Sequence, residues 1–148
     1  MEKEIAYLKD ESLKLDNQLC FPLYSAARKV INFYTPLFKP LGITYTQYIV
    51  FMALWENNEM SVGELCSRLY LDSGTLTPLL KNMEKEGYLT RKRSIKDERV
   101  VIITITEKGL DMKKKVQEIP FEVSKEVGAN ISPEEAAQLK ELLDKIIK

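Results

Sequence analysis

From Leu19 onward, apolar residues fall at Leu19, Leu23, Ala26, Ala27, Val30 and Tyr34, spacings of three and four that predict a helix with one buried face. Asp16 and Asn17 stand where its caps belong, while Pro36, Pro40 and Gly42 predict where it is kinked and stopped. Thr44 and Gln47 form a T-x-x-Q capping box before Ile49, Val50, Met52, Ala53 and Leu54, which predicts a second, largely buried helix ending at Asn57-Asn58. Ser61 and Glu64 repeat the signal and open a short third helix with Val62, Leu65, Cys66 and Leu69 on one face. Asp72 or Ser73 caps a fourth, running through Leu76, Leu79, Leu80 and Met83 to Gly87, a natural C-terminal stop.

After Gly87 the period changes. Tyr88 to Arg93 and Arg99 to Ile105 are rich in β-branched and basic residues and flank Ser-Ile-Lys-Asp-Glu, which predicts a two-stranded hairpin. Thr106 is expected to cap a fifth helix through Val116, with Pro120 marking its end region. Ser132, Pro133 and Glu135 open a last helix with Ala136, Leu139, Leu143, Ile146 and Ile147 on one stripe. The order is five or six helices with one hairpin after the fourth, without an internal repeat.

A chain of 148 residues, 45% hydrophobic and 30% charged, has the size of one domain and the means to bury a core. Its 22 basic and 22 acidic residues cancel, so attraction to nucleic acid must come from local clustering. Residues 1–16 carry three lysines against five acidic residues; residues 73–99 carry seven lysines or arginines against four. The absence of histidine removes histidine metal sites, Ser-His and Cys-His pairs and the commonest general base. Cys20 and Cys66 are too few for a disulfide framework and lack zinc spacing, so neither a metal nor a cofactor is expected and a reducing compartment is the default. The charged N-terminus MEKEIAYLKDE is unlike a signal peptide, and the longest apolar run, Tyr48 to Trp55, is too short to span a membrane, which predicts a cytoplasmic protein.

A short helix, a tight turn, a second helix and then a basic hairpin is the plan of a winged helix-turn-helix, whose second helix enters the major groove of DNA while the hairpin tip reaches backbone or minor groove. In LDSGTLTPLLKNMEKEGY, Ser73, Thr75, Thr77 and Lys81 supply hydroxyls and a cation for phosphates and base edges, and Pro78 requires a helix start near Ser73 or later, or a kink. The hairpin sets Arg91, Lys92, Arg93, Lys96 and Arg99 against Asp97 and Glu98, and Asp97 is close enough across the tip to orient the Arg99 guanidinium. A solvated hairpin with a free surface ion pair is the alternative. Cys20 lies at the N-terminal end of the first predicted helix, where unsatisfied N–H groups favour a thiolate, although a setting of Leu19, Phe21, Leu23 and Tyr24 more often marks an inert buried thiol. Cys66 is expected to be a small core residue, as are the aromatics Tyr24, Phe33, Tyr48 and Trp55, which together could line an apolar pocket. Lys113-Lys114-Lys115 is read as a solvated helix face.

The run LYLDSGTLTPLLKNMEKEGYLTRKRSIKDERVVIITITEKG resembles the helix-turn-helix and wing of the MarR family, carried by DSGTLTPLL and the DER of the wing. More narrowly, QLCF, Tyr34 and the TYTQY run are similar to the one-cysteine organic hydroperoxide resistance regulators, over about residues 13 to 147. The fold thereby implied is mainly α with a small β-hairpin wing and is dimeric through its N- and C-terminal helices. It is one domain over 1–148, with residues of about 44–110 as the winged-helix part and about 13–40 and 110–148 as dimerisation helices. The resemblance implies a repressor rather than an enzyme, in which Cys20 senses organic hydroperoxide and Tyr34 and Tyr45 of the other subunit hydrogen-bond it. Ser73, Thr75, Thr77, Pro78, Lys81, Arg93, Asp97 and Arg99 fall on the expected DNA-binding surface. Partners would be a pseudo-palindromic operator, a second copy, the hydroperoxide, and a low-molecular-weight thiol that traps the sulfenic acid, since no late resolving cysteine is present. Pro22 departs from the pattern of those relatives and bears on where the first helix starts. Within the family, a regulator answering a small phenolic ligand or general oxidative stress is the alternative. A thiol peroxidase would need an arginine-activated cysteine on a βαβ scaffold, which this order of elements lacks, and a non-DNA-binding adaptor would not need the basic wing.

Overall fold

A computed structural model describes residues 1–148, the side chains of residues 4–7 excepted. The described residues form eight α-helices and a small antiparallel sheet: α1 (Glu2–Ser12), α2 (Cys20–Phe38), α3 (Tyr45–Asn57), β1 (Glu59–Ser61), α4 (Val62–Leu69), α5 (Ser73–Lys85), β2 (Leu89–Arg93), β3 (Val101–Ile105), α6 (Glu107–Val116), α7 (Ile119–Val127) and α8 (Pro133–Ile147). The capping boxes set three starts as expected. Thr44 and Gln47 open α3, Ser61 and Glu64 open α4, and Ser132 and Glu135 open α8, each with side chain and backbone N–H paired reciprocally. Asp72 caps α5 by accepting from the Thr75 N–H, Thr106 caps α6, and Gly87, at φ +84°, turns the chain out of α5 in the left-handed region.

Two expectations are corrected, on the caps of α2 and on Pro120, and two elements, α1 and β1, are added. Asp16 and Asn17 do not cap α2; they lie in a 3₁₀ turn at Leu15–Asn17, and α2 begins after Leu19 with no side-chain cap. The stop expected from Pro36, Pro40 and Gly42 lies where the sequence puts it: α2 holds Pro36, ends at Phe38, and gives way to a 3₁₀ turn containing Pro40 and a left-handed Gly42. Pro120 opens α7 instead of closing α6, because a first-turn position has no N–H bond to lose. Helix α1 was not predicted, since its charged sequence offers no apolar stripe. Strand β1 was missed because its three residues run straight into the Ser61 cap; it pairs with β3 through Met60 opposite Ile103, giving the order β1-β3-β2.

The core lies where α3, α4, α5 and the sheet meet. Val50, Phe51, Leu54, Leu65, Leu76, Leu80 and Ile103 are fully buried there, with Phe38 from α2 sealing one end. Each such side chain contributes about 1.5–3 kcal/mol over leaving it in water. This packing fixes α5 against the sheet and so aims its outer face.

Candidate functional site

On α5 the leucines and Met83 face inward, leaving Ser73, Thr75, Pro78 and Lys81 exposed and Thr77 half-buried. Pro78 is the sixth residue of the helix, past the first turn, and frees the Gly74 carbonyl from its usual partner.

The hairpin tip is tied by the Ser94 N–H donating to Val100 O at 2.8 Å and the Val100 N–H donating to Asp97 O at 2.9 Å. Asp97 grips Arg99 as expected: Nε donates to Oδ1 and Nη2 to Oδ2, both at 3.1 Å, and the Arg99 backbone N–H also reaches Oδ1. These bonds to Arg99, the side-chain ones foremost, hold the Asp97 carboxyl below its ordinary pKa of 3.8. Since the Arg99 side chain is 90% exposed, the pair supports no core and presents a fixed cation outward. Arg93 instead spends one nitrogen on its own hairpin, donating to Glu98 O at 2.7 Å.

Arg91 was not singled out in the sequence. It pairs with Ile103, so strand alternation turns it to the face that meets the helices. Its backbone N–H donates to Glu84 Oε2 at 2.7 Å, which staples β2 to α5. With Arg99, Thr77, Ser73 and Cys66 it lines a groove of about 420 Å³ between helices and wing. Cys66 is thus half-buried beside this groove, with only one side against the core, a correction to its reading as a core residue.

Cys20 is the first residue of α2 and is exposed. Pro22 sits in that first turn, where N–H groups lack helical partners anyway, and so leaves the helix start intact. Tyr34 and Tyr45 come together at the other end of α2, with ring centroids 5.0 Å apart, and Tyr48 packs on both, 5.7 and 6.0 Å away. Burial raises the pKa of Tyr34 and Tyr45, so both are hydroxyl donors at neutral pH. Beside Tyr45 a cleft of about 450 Å³ is lined by Ile31, Phe38 and Ile43. Of the other aromatics, Tyr48 is buried, Trp55 and Phe33 are half-buried, and Tyr24 is exposed under the Arg28 guanidinium, against expectation. Among the described residues no cluster of three acidic or cysteine side chains could hold a metal ion, and no helix is long and apolar enough to cross a membrane.

Residues 32–119 match the family model of the SarA/Rot transcriptional regulators, a MarR-like group. The chain belongs to the MarR family. It is 46% identical over 138 residues to an organic hydroperoxide resistance transcriptional regulator of Bacillus subtilis, covering 91% of this chain and 90% of that protein. To the regulator SarZ of Staphylococcus saprophyticus it is 40% identical over 140 residues, 95% of this chain and 94% of that one. Among solved structures it resembles reduced AbfR bound to DNA, at 34% identity and a TM-score of 0.74, covering 95% of this chain and 96% of that chain. This MarR-family chain is therefore a DNA-binding transcriptional regulator of winged-helix fold.

Proposed function

We propose that two copies of this chain form a repressor that holds a pseudo-palindromic operator and releases it when an organic hydroperoxide oxidises Cys20. One observation carries the reading. Cys20 and Tyr34 lie on one helix fourteen residues apart, about 21 Å at about 1.5 Å per residue. The tyrosine pair therefore serves a cysteine only when that cysteine belongs to a second, antiparallel copy. Leu19, Phe21, Phe121, Leu142 and Ile146 are exposed on the terminal helices, an apolar surface that such a copy would cover. Residues of about 13–40 and 110–148 then form the dimer, and about 44–110 read the DNA.

In the dimer the open N–H groups at the start of α2 and the hydroxyls of Tyr34 and Tyr45 are the hydrogen-bond donors for the Cys20 sulfur. Its sulfur attacks the terminal peroxide oxygen, the O–O bond breaks, and the alkoxide takes a proton and leaves as an alcohol. The sulfenic acid left behind is attacked at sulfur by a small thiolate, which forms a mixed disulfide as the S–O bond breaks and hydroxide leaves, taking a proton from solvent to become water. The cleft beside Tyr45, which sets Ile31, Phe38 and Ile43 next to Thr35, Lys39, Thr44 and Thr46, offers an alkyl or aryl hydroperoxide an apolar wall that hydrogen peroxide could not use. Ser73, Thr75, Thr77, Pro78 and Lys81 face the major groove, while Arg99, held by Asp97, and Arg93 serve the wing contact.

The test is operator binding before and after substoichiometric organic hydroperoxide. Cys20→Ser should bind yet keep its operator, Cys66→Ser should respond as the parent does, and mass spectrometry should find the thiol adduct on Cys20. An adduct on Cys66, or a Cys20–Cys66 disulfide, would overturn the one-cysteine reading.

A further inference from the structure

Four aromatic residues of α3, Tyr45, Tyr48, Phe51 and Trp55, recur at spacings of three and four and form one continuous edge of the helix. At one end this edge meets Tyr34. From there Tyr48 lies 6.2 Å from Trp55, Trp55 stacks on Phe51 at 5.4 Å, and Phe51 meets the Tyr88 ring edge-on at 5.1 Å. Tyr88 is the residue before β2, at the root of the wing.

The Trp55 Nε1–H donates to the carbonyl oxygen of Gly109 at 2.9 Å, across 54 residues of chain. Gly109 stands in the first turn of α6, wedged against both roots of the wing: a Cβ there would run into the Tyr88 carbonyl oxygen and stand 2.6 Å from Ile105 Cγ1. Only glycine lets α6 approach so closely. The same turn is clamped by Thr106, which accepts from the Gly109 N–H and donates to Gly87 O at 2.6 Å, while its own N–H reaches Tyr88 O. Neither end of the Trp55 bond has slack.

We propose that Trp55 is a positioning residue for regulated DNA binding: by holding Gly109 it ties the wing root to the aromatic cluster around Tyr34 and Tyr45, and passes a displacement there to the angle of the wing. This rests on the proposed pairing of those hydroxyls with Cys20. Oxidation of the thiol moves its tyrosine partners, α3 shifts with them, and the wing leaves the spacing at which α5 and Arg99 engage DNA together. A packed core transmits such a shift because its side chains have few alternative arrangements.

Trp55→Phe keeps the ring and deletes the donor. The reduced variant should bind operator within about threefold of the parent and form the Cys20 adduct at the parental rate, but the affinity ratio between reduced and oxidised protein should shrink about tenfold or more. An unchanged ratio would overturn the proposal, including the case where both forms weaken equally, which marks a merely structural bond. Because Trp55 is the sole tryptophan, the unmutated protein offers a second reading that needs no variant to fold. Its emission should change when Cys20 is oxidised, and not in Cys20→Ser; release of DNA with unchanged emission would also overturn the relay. If hydroperoxide leaves Cys20 unmodified by mass, the sensing reading itself fails and the relay with it.

Discussion

The half proposed above to read DNA and the terminal helices proposed to pair treat their apolar residues in opposite ways. From α3 to β3 nearly every large apolar side chain is used inside the chain, with Leu54, Leu65, Leu76, Leu80 and Ile103 wholly buried. In α8 no residue is buried; Leu142 and Ile146 are 56% and 57% exposed, and Leu19 at the start of α2 is 67% exposed. Local helix signals are equally good in both, since Ser132 and Thr44 build the same capping box. The difference teaches that a helix's start and its stripe are local properties, whereas the surface that covers the stripe is not. The reading half supplies its own; the terminal helices call for a second copy.

The most forceful way to break the contrast is to place Leu142→Asp and Ile146→Asp on α8. Burying two unpartnered carboxylates costs several kcal/mol, so sedimentation should show monomers and operator affinity should collapse; a dimer that persists would remove α8 from the interface. Leu80→Ala is the counterpart within the reading half. It should lower the unfolding free energy in denaturant by about 2–5 kcal/mol while leaving the isolated α8 stripe unaffected, and a much smaller loss would mean that this core is not close-packed.

A finer comparison lies within the reading half, between its buried framework and its exposed tip. Arg99→Ala should weaken operator binding about tenfold, equivalent to about 1.4 kcal/mol, with thermal stability unchanged, and Asp97→Ala should give a milder defect because it only orients the guanidinium. A fall in stability at normal DNA affinity would make the pair structural. The smallest effect concerns Tyr48, whose pKa burial pushes from 10.0 up to about 12, with Tyr34 and Tyr45 adding to the rise. The folded state favours the neutral phenol, so this stability is present below pH 10 and is lost as pH rises through about 12. Tyrosinate absorbance should show Tyr48 titrating last, behind Tyr34, Tyr45 and Tyr88, which burial also raises; ordinary titration of all seven would contradict its burial.

Much of this was legible along the chain. Thr44-Gln47, Ser61-Glu64, Asp72 and Ser132-Glu135 announced their helices because capping acts within three residues, and the hairpin with Asp97 beside Arg99 was readable because only Glu98 separates them. Arg91 was passed over as one of five wing cations, since its distinction comes from strand register opposite Ile103 and from Glu84 on another element. Cys66 was placed too deep for the same reason: its helix face was right, but that face borders a groove closed by the wing.

Local physics, with its short reach in sequence, sufficed for the recognition helix, the wing and the cysteine at a helix start. Tertiary packing alone decided that Tyr34 and Tyr45 meet, that Trp55 finds Gly109 from 54 residues away, and that the apolar edge of α8 stays uncovered within one chain. Those contacts depend on where whole elements come to rest, which is set by close packing of the shared core and not by the neighbours of any one residue.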